Sequence, residues 1–339
     1  MSVGIDIGSR TIKAVELSKD GENYSLKAAG VVGYSGPYIE GVATDEELAG
    51  LANATKKLFS DARISGRQVA IALPESQVFT REIKFPMLTD SEIASAIKWE
   101  AEQYIPIPIS EAIVQHQVLE RKENATPPEV TVLLVAAPRT LVEKYTKIVS
   151  LAGLVPTFVE TELMALVRSL GIEGKTVLVL DFGAKSTDIA IAKGTSLVFS
   201  RSIPTAGEAF TRAVAQTLGV SATQAEEYKK AYGLSSTQLE AKIKSAIDPI
   251  FRIVTDEIKK AIHFYQSESG GETPVSVILS GGTSGLPEAI PLLTKLLGIE
   301  VIIGNPFAKV RMEQDMAKSL APYAPLYSIA VGLALREEE

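Results

Sequence analysis

Apolar and polar positions alternate with period two through Val3–Ile7, Thr11–Leu17 and Tyr24–Val32, which predicts three strands of a meander. A helix is expected around Asp45–Ala62, then a strand Gln68–Leu73 that stops at Pro74. The texture changes between about Arg81 and Leu154. That stretch reads as a strand (Phe79–Phe85), a helix, a Pro-punctuated corner (Ile105–Ile109) and a strand (Ala112–Glu120). A charged loop (Arg121–Glu129), a strand (Val130–Ala136) and a helix (Thr140–Ala152) complete it. From Val155 the alternation of strands and helices resumes, with strand Pro156–Glu160, helix Glu162–Leu170, a hairpin over Val177–Ala192 and strand Leu197–Ile203. A helix opened by Thr205-Ala206-Gly207-Glu208, a largely helical block Phe210–Ser269 and a strand Val275–Ser280 follow. A final helix rich in small residues is expected at Tyr327–Leu335.

The helix inside the odd segment has the strongest start signals. Thr89-Asp90-Ser91-Glu92 forms a capping box, Leu88 and Ile93 are placed as a hydrophobic staple, and Pro106 ends the element. Its apolar stripe is Ile93, Ala96, Ile97, Ala101 and Tyr104. Trp99 lies off that stripe, and packing against a neighbouring subdomain is expected for it ahead of a partner-facing role.

One short pattern occurs twice. VGIDIGSRTIKAVEL (Val3 to Leu17) and VLVLDFGAKSTDIAIA (Val177 to Ala192) each place Asp-x-Gly-x-basic-hydroxyl between two apolar strands. Asp6, Gly8, Arg10 and Thr11 align with Asp181, Gly183, Lys185 and Ser186 at a constant offset of 175 (181 − 6), about one domain length. A Gly in such a turn leaves room for a phosphate, and an Asp at a strand end can hold the waters of a hard cation such as Mg²⁺. Two hairpins in duplicated halves can grip one polyphosphate from opposite sides. The run Gly281–Ile290 adds a strand, Gly loop and helix start that suit an anion or a sugar hydroxyl edge. Gly171-Ile172-Glu173-Gly174-Lys175-Thr176 imitates the end of a P-loop, but its spacing is wrong and a strand follows, so it reads as an ordinary connection.

Composition narrows the chemistry. With 339 residues, 46% hydrophobic and 22% charged, the chain can build two cored lobes. A net charge of −7 without a basic stripe argues against a nucleic-acid surface. The absence of cysteine removes disulfides, thiolate zinc sites and cysteine nucleophiles, and two histidines cannot make a multi-histidine metal site. Any metal is therefore expected on oxygen. The start of the chain lacks a signal-peptide pattern and no apolar stretch reaches the roughly 20 residues of a membrane span, so a cytoplasmic protein is expected.

The two hairpins, the connecting segment FVETELMALV (Phe158 to Val167), the loop VILSGGTSGLPE (Val277 to Glu288) and the small-residue closing helix occur in the order found in the actin, DnaK-type chaperone and sugar-kinase superfamily. The segment TDSEIASAIKWEAEQYIPIPISEA (Thr89 to Ala112) resembles the type IV pilus assembly PilM family, relatives of the cell-division protein FtsA. The resemblance implies an α/β, actin-like (ribonuclease H-like) duplicated two-lobed fold with an FtsA/PilM-type inserted subdomain. It divides the chain into a first α/β subdomain (1–80 and 155–172, closed by 320–339), an insert (81–154), a second α/β subdomain (173–205 and 273–319) and a helical unit (206–272).

It also implies ATP and Mg²⁺ as cofactors. Asp6 and Asp181 would organise the metal and its waters. Gly8, Ser9, Arg10, Thr11 and Lys13 would form the first phosphate loop, and Gly183, Ala184, Lys185 and Ser186 the second. Gly207 and Glu208 would approach the phosphates and ribose. Glu226 and Lys229 would border ribose and adenine, although a solvated i,i+3 pair is an equal reading from spacing. Gly281, Gly282 and Thr283 would form the adenosine loop. Glu160 falls where hydrolysing relatives position the attacking water, with capping of the following helix as the plainer alternative.

Ala184 and Lys185 stand where relatives often carry further glycines, so at most slow ATPase activity is expected. The implied function is an ATP-binding scaffold of type IV pilus biogenesis that docks the N-terminal cytoplasmic peptide of the inner-membrane protein PilN, peripheral to that membrane through its partner. Self-association is open. A sugar or acid kinase of the same superfamily is one alternative, but no convincing Asp stands on a sugar-binding loop as its base. An FtsA-like filament protein is another; its C-terminal membrane helix contrasts with Glu337, Glu338 and Glu339 here, which anionic lipid would repel.

Overall fold

The computed structural model describes residues 2–34, 36–42, 44–236, 240–269 and 271–336, so the three terminal glutamates lie outside the described residues. The meander forms as β1 (Ser2–Ile7), β2 (Thr11–Asp20) and β3 (Asn23–Gly33), followed by α1 (Asp45–Asp61) and β4 (Gln68–Leu73). Helix α1 starts on a capping box of Thr44 with Glu47. The next unit comprises β5 (Phe79–Pro86), α2 (Asp90–Tyr104), β6 (Ala112–Lys122) and β7 (Glu129–Pro138). These strands make an antiparallel sheet ordered β5-β7-β6, and α2 packs on it through Ile93, Ile97 and Ala101 against Ile83, Val132 and Leu134. The capping box of Thr89 and Glu92 is present, and Leu88 packs into the same cluster as Ile93. Trp99 does not pack as expected: it is 74% exposed, because the sheet is already covered by the α2 stripe and no element lies over the opposite helix face among the described residues.

The chain then returns to the first sheet with α3 (Arg139–Leu151), β8 (Val155–Thr161) and α4 (Glu162–Leu170). Although α3 falls inside the 81–154 span, its face of Leu141, Tyr145, Ile148 and Val149 packs with Val3, Ile5, Ile71 and Phe59. The three-stranded unit thus ends at Pro138.

The second lobe is built from β9 (Thr176–Phe182), β10 (Thr187–Lys193), β11 (Ser196–Ile203), α5 (Gly207–Leu218), α6 (Ala222–Tyr232), α7 (Glu240–Ser269), β12 (Val277–Ser280), α8 (Ala289–Leu297) and β13 (Val301–Ile303). Its sheet runs β11-β10-β9-β12-β13. One face meets the helices around Phe182, Phe210 and Phe251, with the Phe182 and Phe210 rings edge to face at 5.7 Å. The other face, through Val177, Val179, Ala190 and Ala192, meets Leu163, Leu166 and Val167 of α4. Helix α4 therefore stands between the two lobes.

The last part of the chain crosses back earlier than the 319 boundary. Strand β14 (Val310–Arg311) pairs with β3, giving a first sheet ordered β14-β3-β2-β1-β4-β8, and α9 (Gln314–Leu320) and α10 (Ser328–Ala334) follow. Phe307, Val310, Tyr327, Ala330 and Val331 cover Val15 and Leu17. The small residues of α10 have a steric cause. A Cβ on Gly4 would stand 2.1 Å from the Ala330 carbonyl oxygen, and one on Gly332 would stand 1.8 Å from that of Ala165. Backbone thus packs on backbone where β1, α10 and α4 meet.

Candidate functional site

The two hairpins close in the same way. The Gly8 amide donates to the Thr11 carbonyl and the Gly183 amide to the Ser186 carbonyl, each at 3.1 Å. In the strand registers Asp6 stands opposite Lys13, and Asp181 stands opposite Asp188. Lys13 and Asp188 are related by the same offset of 175 (188 − 13), so one half carries an acid–base pair where the other carries two acids. The hairpins face each other across a cleft of about 1160 Å³. All the residues assigned to phosphate, ribose, adenosine and metal contact line this cleft, and Glu160 does not.

The floor of the cleft is strongly acidic. Lys13 Nζ lies 2.8 Å from Asp6 Oδ2, with both residues buried. Burial pushes the Lys13 ammonium down, but the attractions of Asp6, Asp181 and Glu162 together hold the group above its ordinary value. Burial, then the charges of Asp188 and Asp6, raise Asp181 to about 7, with Lys13 opposing. Burial raises Asp188 to about 6, against the Ser202 and Ser186 hydroxyls beside it, of which Ser186 donates to Oδ2 at 2.7 Å. Glu162 lies well above the usual carboxylate range, through burial and then through Asp6, Asp188 and Asp181. Asp6, Asp181 and Glu162 share the ammonium of Lys13, and Asp188 Oδ1 is buried without a protein partner. An all-oxygen, electron-rich floor of this kind fits a hard divalent cation. Among the described residues no three metal-ligating side chains converge tightly enough to enclose an ion by themselves, so a cation here would keep waters or phosphate oxygens in its shell.

Backbone geometry shapes the second-lobe wall. Gly281 has φ +84, and a Cβ there would stand 2.5 Å from Asp181 Oδ1, which only glycine avoids. The Thr283 amide donates to the Phe182 carbonyl at 2.8 Å and its hydroxyl to the Gly183 carbonyl at 2.7 Å, fixing the adenosine-type loop to the second hairpin. The Gly207 and Glu208 amides at the start of α5 hold the Gly183 and Ala184 carbonyls at 3.3 and 2.8 Å. Lys229 is buried, and its ammonium donates to Gly207 O at 3.1 Å, Thr211 Oγ1 at 3.0 Å and Glu226 Oε2 at 2.6 Å. The Glu226–Lys229 pair is thus part of the cleft wall and not a solvated surface pair.

The mouth of the cleft is bridged between lobes. Arg10 Nε lies 2.6 Å from Glu208 Oε1, the Tyr38 hydroxyl donates to Glu208 Oε2 at 2.5 Å, and Lys185 Nζ lies 3.4 Å from Glu40 Oε2. Arg10 and Lys185 both stand over the Tyr38 ring, at 5.0 and 4.6 Å from its centroid.

Glu160 needs correction. Its carboxylate is gripped by Arg168 at 2.6 and 2.7 Å and by Arg336 at 2.9 Å, inside the junction of β8, α4 and the end of α10. It does not cap α4 either, because Thr161 does so by accepting from the Met164 amide at 3.2 Å. The acid that reaches the cleft is Glu162, two residues on. The signal for it was the start of α4 itself: the cap at Thr161 turns strand into helix, so Glu162 occupies the first helical position, at the end nearest the cleft. Tyr38 also lay outside the sequence reading, since nothing in its local pattern marks a loop residue that meets another lobe.

The sequence pattern of the type IV pilus assembly protein PilM family matches residues 4–338. The chain belongs to that family. It is 24% identical over 342 residues to the cell division protein FtsA of Streptococcus pneumoniae serotype 2, covering 88% of this chain and 74% of that protein. Among solved structures it is similar to a PilM–PilN type IV pilus biogenesis complex, at TM-score 0.86 and 29% identity over 99% of this chain and 98% of that one. It also resembles the ethanolamine utilization protein EutJ of Carboxydothermus hydrogenoformans, at TM-score 0.60 and 18% identity over 98% and 89% of the chains. The two-lobed fold is actin-like. Among the described residues no helix is long and apolar enough to cross a membrane.

Proposed function

We propose that this PilM-family protein is a scaffold of type IV pilus assembly that binds Mg²⁺·ATP between its lobes and docks the N-terminal cytoplasmic peptide of a PilN-type inner-membrane protein. The observation that carries the reading is similarity along nearly the whole chain to the protein of the PilM–PilN complex, insert included. In this reading Asp6 and Asp181 orient the waters of Mg²⁺, and the hairpin turns at Gly8–Thr11 and Gly183–Ser186 hold phosphates. Lys13 keeps the Asp6 carboxylate aimed. Glu226 and Lys229 border the ribose, and Gly281 to Thr283 the adenosine. Bound Mg²⁺ supplies positive charge that the acidic floor lacks. Glu162 takes the place first assigned to Glu160 and orients water near the phosphates, and turnover is slow. The peptide docks beside the inserted sheet and holds the protein at the cytoplasmic face of the inner membrane.

Titration calorimetry with Mg²⁺·ATP and fluorescence anisotropy with a labelled PilN N-terminal peptide test the two halves separately. Saturable binding of each supports the scaffold; a protein that binds neither overturns it.

A further inference from the structure

Five buried side-chain polar atoms among the described residues have no hydrogen-bond partner: Glu75 Oε2, Thr80 Oγ1, Asp188 Oδ1, Ser202 Oγ and Arg336 Nε. The first four fall at one junction. Glu75 lies in the single 3₁₀ turn Glu75–Gln77 between β4 and β5 and is 5% exposed. Its polar neighbours are Ser200 of β11, Thr161 at the end of β8, Thr80 of β5 and Asp188 of β10. Ser202 stands opposite Asp188 in the β10–β11 register, and Ser200, two residues away, shares its face of the sheet. Asp188 belongs to the cleft floor, and Thr80 belongs to the first strand of the inserted sheet. A polar row, with buried oxygens on Asp188, Ser202, Glu75 and Thr80 and the half-buried Ser200 among them, therefore links the cleft to the root of the insert.

Buried hydroxyls and carboxyls without partners are strongly disfavoured unless water bridges them, and here four unpartnered atoms gather at one junction. Asp188, of like sign, acts on Glu75, and burial together with that charge raises Glu75 to about 7. A neutral Glu75 can donate towards Asp188 through water. An ionised one can only accept. The same junction thus has two hydrogen-bonding arrangements, and positive charge brought beside Asp188 favours the second.

We propose that this junction holds ordered water and that Glu75 is a positioning residue, hydrogen-bonding the root of the inserted sheet to the cleft floor so that cation and nucleotide in the cleft alter how firmly β5 is held. The coupling half rests on the nucleotide reading of the cleft; the hydration half does not.

Amide hydrogen exchange over residues 79–86, with and without Mg²⁺·ATP, reads the coupling in the full chain. Wild type is expected to change exchange in this segment by at least about threefold on nucleotide binding. Glu75→Gln, which cannot ionise, is expected to lose that response, while its affinity for Mg²⁺·ATP in calorimetry stays within about threefold. A Glu75→Gln protein that responds like wild type, or a wild type that binds nucleotide without any response in β5, overturns the coupling. Failure of wild type to bind nucleotide overturns the cleft reading and the coupling with it. Hydration is decided independently by a high-resolution crystal structure of the full chain: ordered water within hydrogen-bond distance of Glu75 Oε2 and Asp188 Oδ1 is expected. A junction without water at these atoms refutes it.

Discussion

Replacing Glu160 and Glu162 in turn should give opposite results, although the two acids are two residues apart. Glu160 is buried and meets three guanidinium nitrogen contacts from Arg168 and Arg336. Glu160→Ala leaves both cations without their carboxylate. Removing one partner of a buried pair costs about 3–5 kcal/mol; since side-chain exposure of Arg168 and Arg336 is 24% and 29%, water recovers part of this, leaving about 2–3 kcal/mol. Glu162 is in the reverse situation, buried among Asp6, Asp181 and Asp188 and raised well above its ordinary value. A carboxyl raised in the folded state is held in its favoured neutral form at low pH. As pH rises past the value of an unfolded glutamate, the unfolded chain gains charge that the fold resists, and stability falls. Glu162→Gln removes that penalty and should stabilise the nucleotide-free protein by at least about 1 kcal/mol near pH 8. The gain should vanish below about pH 4, where glutamate is neutral in both states. Urea denaturation of wild type and both variants at pH 4 and pH 8 measures these differences, and calorimetry checks that Glu160→Ala leaves Mg²⁺·ATP affinity intact. A destabilised Glu162→Gln at pH 8, or a Glu160→Ala that keeps full stability but loses nucleotide, refutes the assignment of the two roles.

Asp6→Ala and Asp181→Ala should each weaken Mg²⁺·ATP by about 2–4 kcal/mol, read by calorimetry; unchanged affinity in both would remove the hairpin aspartates from the site. ATP hydrolysis should stay well below about 1 s⁻¹ in a phosphate-release assay, and a faster rate would favour an energy-transducing protein over a scaffold. Tyr38→Phe deletes the hydroxyl that joins Glu208 across the mouth, so nucleotide exchange in stopped flow should quicken about twofold to tenfold, matching a lost charge-assisted hydrogen bond. A slower exchange would mean that Tyr38 contacts the ligand and does not bar its path.

The elements that period and caps could announce were legible in sequence: the duplicated hairpins, the boxed start of α2 and the glycine loop after β12 all depend on local residues. Local pattern failed where partners are distant. Helix α3 is amphipathic in sequence, but nothing within it says that its apolar face turns back to Val3 and Ile71. The short strand β14 has two residues and exists through pairing with β3, so no alternation could reveal it. Trp99 was expected to pack against a neighbouring subdomain ahead of facing a partner, yet the stripe of α2 already fills its sheet and Trp99 is exposed. In the site, residue types and spacing brought out the two hairpin turns that line the cleft. They could not separate Glu160 from Glu162, because a strand-to-helix switch decides which of them faces the cleft.

The docking claim is tested most directly by removing the inserted sheet alone. Phe79 stands opposite Ala136 at the root of β5 and β7, so a short Gly-Ser linker can replace residues 79–138; of the α3 core cluster this removes Ala137 and leaves Val3, Ile5, Phe59 and Ile71 in place. Anisotropy of a labelled PilN N-terminal peptide, measured with the intact chain and with this deletion, gives the answer once calorimetry shows that both still bind Mg²⁺·ATP. The account predicts saturable binding by the intact chain and at least about a thirtyfold loss in the deletion, the equivalent of about 2 kcal/mol of buried anchors. Equal binding by the two proteins would contradict it and place the partner elsewhere on the two lobes.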